Sequence, residues 1–436
     1  MIRLLKSRTD LALQIGRLKQ DMGKGVTDRR REDELREDVR SLCRELGMSE
    51  SLGARFLNFL LNESVSVQST GISTHMDIFM RAKSLEAQGR HIVHMEVGEP
   101  DFAPPDVVRG SMTDAFDRGF TRYGPAGGMP QFRDALARYA SKNFGADVSP
   151  SGVMVTPGGR FAVYLAISLL DPGDEIIVID PAWPAYAQCA QSSGVKVTTI
   201  HTDMAGGWEP SAEQVKEAAG PGTRMLVLNY PNNPTGKVLS AHAQDEIVGA
   251  ASDRGLYILS DEIYWQYAKP GWKSVLGSGY DKSIVVQSFS KSHAMTGFRV
   301  GYAMARPDVI GSMVARQAML MACVAEPVQY AAMQALGADT DARSQTIMSR
   351  LDVISDMAKK MGLEFVRPDG AMYLFVRIGR DGTRLARDLL ERGVAVAPGE
   401  AFGDYRDYIR ISACQNEETL IKGMNIIYGN LGNRHG

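Results

Sequence analysis

Lys291 stands in the run Ser-Phe-Ser-Lys-Ser-His-Ala-Met-Thr-Gly-Phe-Arg, residues 288–299, directly after the apolar stretch 283–287. A lysine at a strand end can be held in a pocket that lowers its pKa, and its amine is then free to attack a carbonyl. Ser288 before it and Arg299 after it suit an anionic, phosphate-like group. A solvated side chain is the ordinary reading of any single lysine. What shifts the balance is the company it keeps elsewhere in the chain.

Gly98 lies in Val97-Gly98-Glu99-Pro100-Asp101-Phe102, where a missing Cβ lets a ligand approach the backbone. Residues 153–156 read as a strand, followed by Pro157-Gly158-Gly159-Arg160 and a helix from about Phe161. The free N–H groups of such a helix start bind phosphate. Trp183 follows the strand pattern 175–179, and Asn233 sits in the rigid loop Asn229-Tyr230-Pro231-Asn232-Asn233-Pro234. Asp261 and Tyr264 end the apolar run 256–259, which leaves a carboxylate just beyond a buried strand. Burying that charge without a partner is costly, and pairing with a protonated ring nitrogen removes the cost. Arg410, central in the short strand 408–412, needs an anionic partner too, and its fork fits a carboxylate. A lysine for an imine, a phosphate anchor and a carboxylate for a ring nitrogen are what pyridoxal 5'-phosphate (PLP) needs.

The elements that position these residues belong to two regions of different character. From about residue 70, short β-branched runs alternate with helical patterns between glycines and prolines, which predicts an α/β fold. Residues 1–69 are charge-rich and helical in period, and predict three helices: about 2–22, about 28–46 stopped by Gly47, and one capped by Ser49. On them, Arg8 and Lys19 are eleven residues apart, close to three turns, and share a face. Asp28, Arg31 and Glu32 share a face, as do Ser64 and Gln68. These faces could converge on one polar, mostly cationic pocket, or could simply be solvated.

From Arg8 to Gln68 the chain resembles the all-helical chorismate mutases, through Gly16-Arg17-Leu18-Lys19, Asp28-Arg29-Arg30-Arg31-Glu32 and Glu63-Ser64-Val65-Ser66-Val67-Gln68. The resemblance implies a site in which Arg8, Arg31 and Ser64 contact carboxylates and Glu32 holds the ring hydroxyl. Lys19 and Gln68 would donate to the breaking ether oxygen; Asp28 completes the set. Such catalysis needs only a compact conformer and stabilised charge. One departure is that the family's first helix begins well before the point where this sequence starts, and that segment carries a further arginine that enters the partner's pocket.

From about residue 71 the chain resembles the fold-type I, class I aminotransferases, with the stretches above in family order, joined by Arg122-Tyr123-Gly124-Pro125, Pro368-Asp369-Gly370 and Pro398-Gly399-Glu400. The resemblance implies a large cofactor domain of about 115–325 with a mixed sheet. A smaller α+β domain would comprise 71–114 and 326–436. It implies that Lys291 forms the Schiff base and moves the proton, that Asp261 pairs with the pyridine nitrogen, and that Asn233 and Tyr264 bond the phenolate oxygen. Trp183 would stack on the ring. Gly159, Arg160, Ser288 and Arg299 would hold the phosphate, with Tyr123 reaching the neighbouring subunit's phosphate in a homodimer. Arg410 and Gly98 would meet the substrate carboxylate.

The expected protein is a cytoplasmic bifunctional enzyme of aromatic amino acid biosynthesis. The alternatives are an aspartate aminotransferase with a regulatory or assembly helical domain, and a PLP lyase. A formal net charge of −2 gives no reason to expect nucleic acid binding, no apolar run approaches membrane-spanning length, and the four cysteines form no CxxC or metal pattern. Arg122, Lys237 and Arg316 are candidates for reading a substrate's distal carboxylate.

Overall fold

The computed structural model describes residues 2–21, 29–69 and 75–431. The chain divides into two units, Met1–Ser73 and Thr74–Gly436.

The first unit is built from α1 (Ile2–Asp21), α2 (Arg29–Glu45) and α3 (Glu50–Ser69), with α1 and α2 both packed on α3. Gly47 ends α2 in the left-handed region at φ +65. Its N–H bonds the Arg44 carbonyl and the next N–H, of Met48, bonds that of Cys43, so two otherwise orphaned carbonyls are satisfied. Ser49 precedes α3, but its hydroxyl pairs with that of Ser51, and only its carbonyl accepts from Leu52 and Gly53. α2 and α3 approach closely at Gly53, where a Cβ would lie 2.3 Å from the Cys43 sulfur. Leu4, Leu11, Ile15 and Leu18 of α1 are exposed.

The second unit begins with α4 (His75–Ala87) and β1 (Val93–His94), then α5 (Val107–Asp117) and α6 (Pro130–Phe144). A seven-stranded sheet follows in the order β2-β8-β7-β6-β5-β3-β4. Its members are β2 (Val153–Thr156), β3 (Glu175–Asp180), β4 (Lys196–His201), β5 (Thr223–Leu228), β6 (Tyr257–Asp261), β7 (Ser283–Ser288) and β8 (Gly301–Met304). β8 alone runs opposite to the other six strands. Such sheets are covered on both faces, and alternate residues obey this. Val155, Ile177, Leu226, Ile258 and Val285 join one apolar cluster, while Met154, Ile176, Met225, Leu259 and Ile284 join the other.

A second core gathers around β9 (Tyr373–Arg377), β10 (Val394–Ala395), β11 (Ala397–Pro398) and β12 (Tyr408–Ser412). β12 pairs antiparallel with both β11 and β9, and β1 pairs parallel with β10. Ile78 and Leu85 of α4 pack there with Met95, Leu374, Ile409, Ile411 and Met424.

Candidate active site

The parallel strands of the large sheet all end on one edge, and the candidate residues collect there. In open α/β sheets ligands bind outside the carboxyl ends of the strands. Thr156 ends β2 and leads through Gly158 into α7 (Gly159–Ile167); Asp261 ends β6, and Ser288 ends β7. Asn229 and Asn233 follow β5, and Trp183 follows β3. Beside these strand ends lies a cavity of about 330 Å³. Gly98, Gly159, Arg160, Trp183, Asn233, Asp261, Tyr264, Lys291, Arg299 and Arg410 all line it.

Lys291 donates from Nζ to the Gly98 carbonyl at 2.6 Å, and its own carbonyl accepts from the Tyr267 hydroxyl at 2.9 Å. Burial holds its amine below the usual lysine range. Gly98 must lack a side chain, because a Cβ there would fall 1.8 Å from the Tyr373 hydroxyl. Asp261 is 3% exposed. Its Oδ2 accepts from the Tyr186 hydroxyl at 2.8 Å and its Oδ1 from the Ile263 N–H at 3.3 Å. Desolvation raises its pKa to about 6, against the pull of those two donors and of the Lys291 charge.

At the α7 N-terminus Gly158 adopts φ +86, and a Cβ there would come within 2.5 Å of the Arg299 guanidinium. Arg299, itself left-handed at φ +53, donates to the Thr296 carbonyl at 2.7 Å and the Pro157 carbonyl at 3.3 Å. The Arg160 guanidinium lies over the Trp183 ring at 4.7 Å. Burial depresses its pKa and the Arg299 charge depresses it further, so this corner favours an anion.

Arg410 is 2% exposed. It donates to Asn233 Oδ1 at 2.8 Å and to the Glu96 carbonyl, and lies over the Tyr373 ring at 4.2 Å. Its buried Nε has no hydrogen-bond partner among the described residues. The Tyr264 hydroxyl pairs with that of Tyr373 at 2.8 Å, and burial pushes both phenols up.

Two cofactor candidates are not at the cavity. The Ser288 hydroxyl bonds the Ser290 hydroxyl and the Val300 carbonyl, and Ser290 lines the cavity instead. Tyr123 is 90% exposed. Arg122, Lys237 and Arg316 do not line it either; Lys237 pairs with Glu209 at 2.8 Å. Sequence reasoning assigned no role to Tyr186, Asn229 or Tyr373, which do line it. The Asn229 amide donates to the Asp261 carbonyl at 3.0 Å and accepts from the Asn233 N–H at 3.0 Å. A signal existed for Tyr186. Tyr186 follows Trp183 by three residues at the start of α8 (Ala185–Ser192), and a buried Asp261 demands donors.

The family model described as Aminotransferase class I and II matches residues 90–427. The chain belongs to that family. This aminotransferase is 34% identical to the aspartate aminotransferase of Thermotoga maritima over 83% of its own length and 97% of that protein. It is also 34% identical to the aspartate/prephenate aminotransferase of Thermus thermophilus, over 82% and 96%. The crystal structure of the Thermotoga maritima enzyme superposes with a TM-score of 0.80, at 34% identity, over 83% of this chain and 98% of that one. The Thermus thermophilus aspartate aminotransferase with maleate also gives 0.80, at 33% identity, over 83% and 98%. Residues 1–69 match the model Chorismate mutase type II. The aminotransferase thus carries a helical chorismate mutase domain at its N-terminal end, and the chain is an enzyme.

Within that helical domain Arg8 is exposed. Arg31 is exposed too and pairs with Glu34 at 3.0 Å. The Ser64 hydroxyl donates to the Leu60 carbonyl one turn back at 2.7 Å. Asp28 and the side chains of Lys19, Glu32 and Gln68 lie outside the described residues.

Proposed function

We propose that this aminotransferase uses PLP to pass an amino group from aspartate or glutamate to prephenate or an aromatic keto acid, and that the helical domain supplies prephenate from chorismate. The observation that carries the first half is one cavity lined by a desolvated lysine, a buried carboxylate and a buried guanidinium. The second half rests on the mutase match and on the name of the Thermus thermophilus relative. An aspartate aminotransferase with a non-catalytic helical domain, or a PLP lyase, accounts less well for that combination.

The residues present fit PLP. Asp261 is a buried carboxylate held only by neutral donors, Arg410 keeps an unpartnered buried Nε, and Arg160 and Arg299 place two cations beside a helix start. In this reading the α7 N–H groups with Arg160 and Arg299 hold the phosphate, and the Trp183 indole covers one ring face. Asp261 faces the ring nitrogen, and Asn233 and Tyr264 address the phenolate oxygen. When bound, PLP supplies an electrophilic aldehyde and an electron-withdrawing ring.

The chain's own residues do the rest. Arg410 grips the substrate α-carboxylate with a fork already aimed by Asn233 and Glu96. Lys291, whose amine burial pulls below the usual lysine range, is the base whose Nζ carries the proton lifted from the α-carbon. Tyr186 and the Ile263 N–H keep Asp261 oriented, and its charge keeps a nitrogen heterocycle protonated. The exposed Tyr123 serves the neighbouring subunit's phosphate in a cytoplasmic homodimer.

The test uses purified protein with PLP, glutamate and chorismate as the sole acceptor precursor, with products followed by mass spectrometry. Arogenate, phenylalanine or tyrosine is the expected outcome. Unchanged chorismate beside intact transamination of added phenylpyruvate would overturn the mutase half.

A further inference from the structure

His94 lies at the end of β1, two residues before Glu96 and four before Gly98. Its Nδ1 is 2.7 Å from Glu96 Oε1 and its Nε2 is 3.0 Å from Glu86 Oε1. Glu96 is 0% exposed, and its second carboxylate oxygen has no hydrogen-bond partner among the described residues. An ionised carboxylate only accepts hydrogen bonds, and a neutral imidazole donates from one nitrogen alone. With a carboxylate oxygen on each ring nitrogen, a neutral ring would set one lone pair against another. The cationic ring, donating from both nitrogens, satisfies both contacts and gives buried Glu96 the counter-charge it requires. The other charged groups around it are Lys83, which pairs with Glu86 at 2.9 Å, and Arg410, which reaches the Glu96 backbone. The near Phe79 ring, 6.3 Å away, is neutral.

What this triad holds matters for chemistry. The Glu96 carbonyl accepts from Arg410, and two residues later the Gly98 carbonyl accepts from Lys291. The same stretch is fixed by Met95, whose N–H bonds the Ala395 carbonyl and whose carbonyl accepts from Ser412. We propose that Glu86, His94 and Glu96 form a carboxylate–imidazolium–carboxylate triad, buried at Glu96 and partly exposed at Glu86, that positions the substrate-carboxylate end of the site by fixing the backbone segment whose carbonyls aim Arg410 and Lys291. His94 is thus a positioning residue, and the proposal rests on the aminotransferase reading. The ring's pKa is raised, chiefly by its bond to Glu96 and against its burial. While the two carboxylates are ionised, the ring's contribution is full below the histidine's unfolded value and is lost as pH rises through its raised folded value.

The test is made on the holoenzyme. H94Q leaves buried Glu96 without its cation, Glu86 keeping Lys83, while H94Q/E96Q removes the buried charge as well. The expected result is a KM for the amino acid substrate raised about tenfold or more in H94Q with kcat changed far less, and most of the loss recovered in the double variant. A merely structural role would lower the melting temperature of H94Q and leave KM alone, and that overturns the proposal. Should H94Q not fold, the parent itself decides. Imidazole 15N shifts of labelled protein must show one histidine doubly protonated above the pH at which an ordinary histidine has lost its proton; finding none overturns the triad. A parent with no transaminase activity would instead sink the underlying reading.

Discussion

The two units carry their charged candidates in opposite ways. In the larger unit Asp261 and Arg410 are almost fully buried, and each is held by two donors or acceptors before any ligand arrives. In the helical unit Arg8 and Arg31 are exposed, and Arg31 has a partner one turn away on its own helix. A buried charge is expensive unless geometry repays it, so its surroundings are dictated. An exposed charge is worth little wherever it points. The lesson is that the buried candidates of the larger unit are held in place before any ligand arrives, whereas the exposed candidates of the helical unit are fixed only weakly.

That contrast can be broken most severely at Lys291. K291A should cost transamination roughly 10²–10⁴-fold through proton transfer alone, while chorismate consumption by the same preparation stays unchanged. A parallel loss of both activities would show that the two units do not act separately. R410K keeps the charge but loses the fork. With a charged hydrogen bond worth about 1.5–3 kcal/mol, the KM for an amino acid substrate should rise roughly ten- to a hundredfold. Steady-state kinetics against an amino acid series would reveal it, and an unchanged KM would remove Arg410 from the carboxylate site. R8A should lower mutase kcat/KM by about tenfold or more for the same reason, without touching transamination.

The smallest effect sharpens the comparison through pH. Burial lifts Asp261 from 3.8 to about 6, so the folded chain without cofactor holds that proton more tightly than the unfolded chain. Stability from this group is complete below about pH 4 and is lost as pH rises towards 6. Cofactor-stripped D261N should therefore melt higher than the parent at pH 7, with the difference vanishing near pH 4. No exposed acid of the helical unit should behave so. Thermal melts at the two pH values check both.

The sequence by itself determined a good deal. Alternating apolar runs placed the strand ends and three helices, and the residues at or just past those ends, Asp261, Asn233 and Lys291, follow from where a chain must turn, while Arg410 stood out as a charge in the middle of an apolar strand. Their types name the chemistry because few side chains can attack a carbonyl, pair with a ring nitrogen or fork a carboxylate. Other features came from the tertiary structure alone. Tyr186 reaches Asp261 from 75 residues away, and Arg410 reaches the Glu96 backbone across 314. Ser288 turned into the turn around Ser290 and left the cavity to its neighbour. The Glu86–His94–Glu96 contacts exist only because α4 folds back beside β1. Residue type and period are properties of the local chain, whereas a buried polar group's partner is set by packing between segments that no local pattern relates.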